Sequence, residues 1–223
     1  MMSWRYSIIP YLSSNIIGDV YEFGVYTGKS MVAIDNAFKI AGAEYRNFFG
    51  LDSFEGLPGD DSEVLHQAHW AKGGHNAMEL FKAQNVEDCV AKTYNTLKKR
   101  LDISKIKLVP GFYNKTLNKE NISKYNFGTA VYIDMDADHY TSTYEVLDFM
   151  FSNKLILGGV TIIGYDDWGG SIGWENNQSG ESKAHADICK KYKVEAELLN
   201  QIGIAFPHVH RIYKIHDYSG NIL

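Results

Sequence analysis

The sequence predicts an α/β protein with a mostly parallel sheet, helices on both faces and an antiparallel strand pair at one edge. Three observations carry this. Strand-like runs alternate with helix-like segments along the chain. Most strands are separated by helical stretches of about ten residues or more, the length a parallel crossover needs. The last two strand-like runs have no helix between them, which leaves antiparallel pairing.

Asp19–Phe23 is the first strand. Lys29–Ala41 is helical, because Met31, Ile34, Phe38 and Ala41 recur at the spacing of one helical face. Arg46–Leu51 is the second strand and ends at Asp52. Ser53–Gly74 is polar and glycine-rich, and a connection that long is usually a functional lid. Asn76–Leu101 reads as one or two helices closed by Lys98-Lys99-Arg100. Ile106–Val109 is the third strand, stopped by Pro110-Gly111, and Ala130–Met135 the fourth. A helix runs from about Thr141 to Ser152, and Ile156–Ile163 is the fifth strand, broken near its start by Gly158-Gly159. Trp168–Ser179 reads as a substrate loop, Gly180–Tyr192 as a helix, and Val194–Leu199 with His208–Ile215 as the late strand pair.

Composition narrows the function classes. The 223 residues are 45% hydrophobic and 22% charged, which fits one folded domain over 1–223, with 1–17 as an N-terminal lid or cap. A net charge of −5 with no basic stripe argues against a nucleic-acid partner. No apolar run approaches the ~18 residues of a membrane span. Only Cys89 and Cys189 are present, so a disulfide framework and a cysteine zinc cluster are excluded, although one long-range disulfide stays open. With no signal-peptide pattern at the N-terminus, a cytoplasmic location is expected.

The chemistry is expected where strands end, because ligands of open α/β sheets bind at the carboxyl ends of the strands. After the first strand, Glu22-Phe23-Gly24-Val25-Tyr26-Thr27-Gly28-Lys29-Ser30 forms a glycine turn entering a helix. It has neither P-loop spacing nor a full dinucleotide fingerprint. Asp52, ending the second strand, is placed to accept hydrogen bonds from ribose hydroxyls, so the pair points to an adenosine-containing cofactor. Ser53 and Phe54 follow, and Phe54 packs either on the adenine or in the core. After the fourth strand comes Asp134-Met135-Asp136-Ala137-Asp138-His139-Tyr140, and after the fifth Tyr165-Asp166-Asp167-Trp168. Five clustered carboxylates repel one another unless a cation joins them, and all-oxygen donors suit Mg²⁺, Mn²⁺ or Ca²⁺. The alternative use of Asp138 is as a cap on the helix near Thr141. His208 and His210, on a late edge strand away from the acidic block, read as structural, and His66 and His69 as solvated.

These motifs, with Leu51-Asp52-Ser53-Phe54-Glu55-Gly56-Leu57-Pro58, Gly111-Phe112-Tyr113-Asn114-Lys115-Thr116-Leu117, Asp136-Ala137-Asp138-His139-Tyr140-Thr141-Ser142-Thr143 and Gly180-Glu181-Ser182-Lys183-Ala184, resemble the macrocin O-methyltransferase (TylF/MycF-type) family, in order from about residue 18 to 190. The resemblance implies a Rossmann-like class I methyltransferase fold with a seven-stranded sheet, S-adenosylmethionine as cofactor and Mg²⁺ (or Mn²⁺) with sugar hydroxyl acceptors. It implies Asp136, Asp166 and Asp167 as metal ligands and Asp138 as base, a role His139 is placed to share. The spacing from Gly158-Gly159 to Asp166 is longer than the family's usual one. The expected cofactor contacts are Glu22, Gly24, Tyr26, Thr27, Gly28, Ser30, Asp52, Ser53, Phe54, Gly111 and Asp134. The strand-end spacing leaves open which of Asp134, Asp136 and Asp138 is ligand and which is base.

The expected function is therefore an O-methyltransferase acting on a hydroxyl of a small molecule such as a glycoside. The alternatives are a metal-independent methyltransferase and a non-catalytic cofactor-binding protein on the same fold. A nicotinamide oxidoreductase is disfavoured by the missing third glycine. A homo-oligomer is left open.

Overall fold

β1 (Asp19–Phe23) and β4 (Ala130–Met135) are buried along their whole lengths, as expected of parallel strands covered on both faces. They lie at the centre of a seven-stranded sheet with order β3-β2-β1-β4-β5-β7-β6. The computed structural model describes residues 3–59, 71–168, 179–203 and 209–220. β2 (Phe48–Asp52) runs parallel to β1, β3 (Ile106–Pro110) parallel to β2, and β5 (Ile162–Tyr165) parallel to β4. β6 (Glu195–Ile202) and β7 (His210–Asp217) form an antiparallel pair.

β1 and β4 are paired in register, with Glu22 opposite Asp134 and Phe23 opposite Met135. The strand order reverses between them, so the crevice beyond their carboxyl ends is the expected ligand position for this topology. Alternation along β1 feeds two cores. Tyr21 and Phe23 join the cluster with α6 (Tyr140–Ser152) and α7 (Gly180–Tyr192). Val20 joins Met31, Ile34 and Phe38 of α1 (Lys29–Ala41) on the other face. The expected doubly covered sheet is therefore present.

The Asn76–Leu101 region resolves into α2 (Ala77–Phe81) and α3 (Val86–Leu97). Asn85 caps α3 by accepting from the Asp88 N–H at 2.8 Å. Two short helices, α4 (Tyr113–Thr116) and α5 (Lys119–Tyr125), follow β3 where the sequence periodicity was too brief to show them. A 3₁₀ helix at Trp4–Tyr11 packs on α1 and β5, burying Ile8, and a shorter one occupies Ile103–Lys105.

Three expectations are corrected. β5 begins at Ile162, because Leu157–Val160 form a turn; Ile156 makes only an isolated bridge with Ala130. β7 is not the sheet edge: it lies between β5 and β6, with Tyr165 opposite Arg211, and this brings His210 to the acidic block. Trp168 is not a loop residue open to a substrate. It is 1% exposed and packs against Tyr165, His185 and Tyr213. The long-range disulfide that the sequence left open is not formed: Cys89 and Cys189 are both free thiols. The rest of the expected substrate loop, from 169 to 178, lies outside the described residues, as do His66, His69 and His208.

Candidate functional site

A cavity of about 390 Å³ opens at the carboxyl ends of the central strands. Gly24, Tyr26, Asp52 and Ser53 line it together with Asp136, Asp138, His139, Asp166 and Asp167. The two groups of residues that the sequence separates by more than eighty positions thus face one enclosure. Leu57, Pro58 and Gly59 contribute from the start of the polar segment, and Phe112, Tyr113 and Asn114 from the start of α4, just after β3. The expected lid is described only at its two ends, which are tied together: Leu57 donates to the Gly74 carbonyl at 2.9 Å and Gly73 to the Leu57 carbonyl at 3.0 Å.

The glycine turn has a clear physical requirement. Gly24 has φ of 94°, and a Cβ there would fall 1.8 Å from the Asp136 carbonyl oxygen. Only glycine lets the β1 turn pass this close to the end of β4. Tyr26 follows at φ of 50° and stands 38% exposed, its ring edge-on to His75.

Asp52 does more than face the cavity. Its Oδ2 accepts from the Val25 and Tyr26 N–H groups, both at 2.7 Å, and its Oδ1 accepts from Phe54 N–H at 2.6 Å. Burial raises its pKa, and these three backbone bonds offset that rise only in part. The carboxylate therefore organises the turn that it shares the cavity with.

Several expected cofactor contacts lie off the cavity wall. Phe54 is fully buried in the core, so the packing alternative holds for it. Glu22 is fully buried; its Oε1 accepts from Ser30 Oγ and its Oε2 has no partner among the described residues. Burial and the nearby Asp134 push the Glu22 carboxyl well above its ordinary range. Thr27, Gly28, Ser30 and Gly111 do not line the cavity, and a Cβ on Gly28 would crowd the Leu97 side chain.

Asp134 is also withdrawn. It is fully buried, with Oδ1 accepting from Tyr132 Oη at 2.7 Å and Oδ2 from Arg5 Nε at 2.7 Å. Of the three strand-end aspartates, Asp136 and Asp138 reach the cavity and Asp134 does not. Asp138 sits in the left-handed region at φ of 59°. It is not the cap of α6, whose N-cap is His139 with no side-chain cap bond.

Asp136, Asp166 and Asp167 each offer a carboxylate oxygen within 4.8 Å of the others. Burial first, then repulsion from Asp166, pushes the Asp136 carboxyl well above its ordinary range. Burial and then Asp138 do the same to Asp167. Such a group gains from a cation, and three hard oxygen donors at this spacing fit a divalent ion.

Two buried residues organise this cluster, and sequence reasoning missed both roles. Glu181 accepts from Ala137 N–H at 3.2 Å and from Asp167 N–H at 3.1 Å, tying the β4 and β5 exits together from α7. Arg5 contacts Asp134, Asp136 and Asp166 at 2.7, 2.8 and 3.5 Å. Burial alone would lower the Arg5 pKa, but the three carboxylates raise it well above its ordinary value. Glu181 stood inside a quoted motif, whereas Arg5 carried no local signal.

Comparison with known proteins places the chain. Residues 4–186 match the family model described as macrocin O-methyltransferase (TylF). Over 170 residues the chain is 25% identical to demethyldecarbamoylnovobiocin O-methyltransferase of Streptomyces niveus. Over 166 residues it is 26% identical to the 8-demethyl-8-(2,3-dimethoxy-alpha-L-rhamnosyl)-tetracenomycin-C 4'-O-methyltransferase of Streptomyces olivaceus. Each match covers 74% of this chain but only 58% of the relative. Among solved structures, the fold is similar to the calicheamicin methyltransferase CalS11 (TM-score 0.62, 15% identity, 94% of this chain and 76% of that one). It is also similar to the O-methyltransferase NovP (TM-score 0.58, 20% identity, 96% of this chain and 76% of that one). With the family model spanning most of its length, the chain belongs to the macrocin O-methyltransferase (TylF) family.

Proposed function

We propose that this chain transfers a methyl group from S-adenosylmethionine to a hydroxyl of a sugar or glycosylated small molecule, with Mg²⁺ or Mn²⁺ held by Asp136, Asp166 and Asp167. The observation that carries the reading is the single cavity lined both by the glycine turn with Asp52 and by the acidic cluster. Holding two reactants in register in one enclosure is worth up to roughly 7–11 kcal/mol of a displacement barrier. The names of the two Streptomyces relatives, one specifying a rhamnosyl compound, support a glycosylated acceptor.

Bound S-adenosylmethionine supplies an electrophilic methyl on a sulfonium, and a bound divalent cation supplies Lewis-acid stabilisation of an alkoxide. This chain's own groups do the rest. The glycine turn offers close main-chain approach, and Asp52 offers a carboxylate edge to a ribose. Asp138 takes the acceptor's hydroxyl proton as the oxygen–carbon bond forms and the carbon–sulfur bond breaks. General-base assistance of this kind contributes typically ~10²–10⁴-fold. His139, also on the cavity wall, is the alternative base. Two free thiols support a reducing, cytoplasmic setting.

Arg5 already supplies positive charge to the acidic cluster, and this favours metal-independent transfer as the second reading. The test is incubation of the full chain with S-adenosylmethionine, Mg²⁺ and a panel of glycosides, read by mass spectrometry for methylated product. Product that disappears with EDTA and returns with Mg²⁺ or Mn²⁺ supports the proposal. Product unaffected by exhaustive chelation selects the metal-independent reading. Cofactor binding without turnover on any acceptor overturns the enzymatic reading in favour of a binding protein.

A further inference from the structure

The segment Trp4–Arg5 meets the acidic cluster from a side the cavity does not occupy. Asp136, Asp166 and Asp167 line the cavity; Trp4, Arg5 and Asp134 do not. The Arg5 fork spreads over three carboxylates on two strands: Nε to Asp134 Oδ2, Nη2 to Asp136 Oδ2 and Nη1 toward Asp166 Oδ1. Trp4 Nε1 donates to that same Asp166 Oδ1, and the Trp4 ring stacks on His210, centroids 5.0 Å apart. His210 in turn donates from Nδ1 to the Asp166 carbonyl. One oxygen of Asp136 and one of Asp166 are thus taken up at the rear, and each carboxylate keeps a second oxygen outside this clamp.

We propose that Arg5, assisted by Trp4, is a positioning residue of the acidic site, holding Asp136 and Asp166 from behind so that their remaining oxygens and Asp167 are presented to a divalent cation. The inference rests on the reading that the site takes such a cation. A guanidinium suits the task because its planar fork carries several donors in fixed directions, whereas an ammonium meets one carboxylate well and leaves the others unheld. The alternative role, a counter-ion that competes with the metal, predicts the opposite sign on removal.

The experiment titrates Mn²⁺ alone into the full chain and reads the electron paramagnetic resonance signal of free Mn²⁺, with thermal melts and S-adenosylhomocysteine calorimetry as controls. Losing a residue that orients metal ligands typically weakens metal binding by ~10–100-fold, and that loss is expected for Arg5→Lys while S-adenosylhomocysteine affinity is retained. Arg5→Lys keeps a positive charge beside the buried carboxylates, so the fold is expected to survive. Trp4→Phe, a milder change that keeps the ring stack, is expected to weaken Mn²⁺ binding several-fold. Unchanged or tighter Mn²⁺ binding in both variants overturns the inference. Absence of Mn²⁺ binding in the unaltered protein instead removes the cation reading itself, and the inference with it.

Discussion

Asp52 is bound by three backbone N–H groups before any ligand arrives, so a substitution there acts on the turn as well as on a ribose. Asp52→Asn replaces one accepting oxygen by a donor that faces an N–H. Hydrogen bonds to a charged group are worth ~1.5–3 kcal/mol each, so S-adenosylhomocysteine affinity is expected to drop by at least ~10-fold and the melting temperature to fall with it. Calorimetry alongside melts checks both, and a loss of affinity with no loss of stability would show that the turn does not depend on this carboxylate. At the chemical end, Asp138 and Asp136 share the cavity but differ in backbone and partners. Asp138→Asn is expected to lower kcat sharply with Mn²⁺ affinity nearly intact, as for a group acting only in the transition state. Asp136→Asn is expected to weaken Mn²⁺ binding and to be partly rescued by excess metal. If excess metal rescues Asp138→Asn instead, the two roles are exchanged.

At the scale of elements, the site depends on how closely the β1 turn passes the end of β4. Gly24→Ala places a Cβ 1.8 Å from the Asp136 carbonyl at a φ that side chains avoid. The two strand ends then have to separate. Strain at such a position costs roughly 1–3 kcal/mol, and cofactor and Mn²⁺ binding are expected to be lost together. Gly42→Ala is the comparison: its φ is 65°, but nothing lies within 4 Å of the added atom. It is expected to cost about 1 kcal/mol of stability and leave both ligands bound. Denaturant melts and paired titrations separate the two cases; equal binding defects in both would mean that close approach is not the issue. The same scale explains the placement of His210. Treating the late strands as a pair was correct, but hairpin-like pairing says nothing of which partner lies inward. β7 takes the inner position beside β5, and this carries His210 to Asp166.

Over the whole molecule, one buried polar cluster away from the site joins α7, β5 and β7. His185 is buried among Tyr165, Trp168 and Tyr213, with Tyr165 Oη 2.9 Å from its Nδ1. Burial, and then the Arg211 charge, lowers its pKa from 6.5 to about 4. The folded pKa lies below the unfolded one, so the folded state prefers neutral imidazole. The stabilisation is complete above the unfolded pKa and is lost as pH falls through ~6.5 toward ~4, a difference of roughly 3 kcal/mol. Urea melts across that range are expected to show the decline, and His185→Phe is expected to flatten it. A slope unchanged in the variant would assign the acid sensitivity elsewhere. Among the described residues no helix is long and apolar enough to cross a membrane.

What the sequence determined by itself was whatever is encoded in local period and spacing. The Met31–Ala41 repeat marked α1, the run of strands separated by helices marked a parallel sheet, and the glycine turn, Asp52 and the two aspartate blocks marked strand ends where ligands collect. These are legible because a helix face or a strand-to-helix turn is built from neighbours in the chain. What the tertiary structure decided was partnership. Asp134 is buried while Asp136 and Asp138 face the cavity, because Asp134 lies within β4, covered on both faces, whereas the other two follow the strand's end at Met135, and only the assembled sheet shows where that end falls. Arg5 joined carboxylates about 130 positions away, Glu181 tied two strand exits together, and Trp168 entered the core. No local pattern announces such residues, because a charge is driven to a distant opposite charge, and an aromatic ring to a distant core, only once folding has removed both from water.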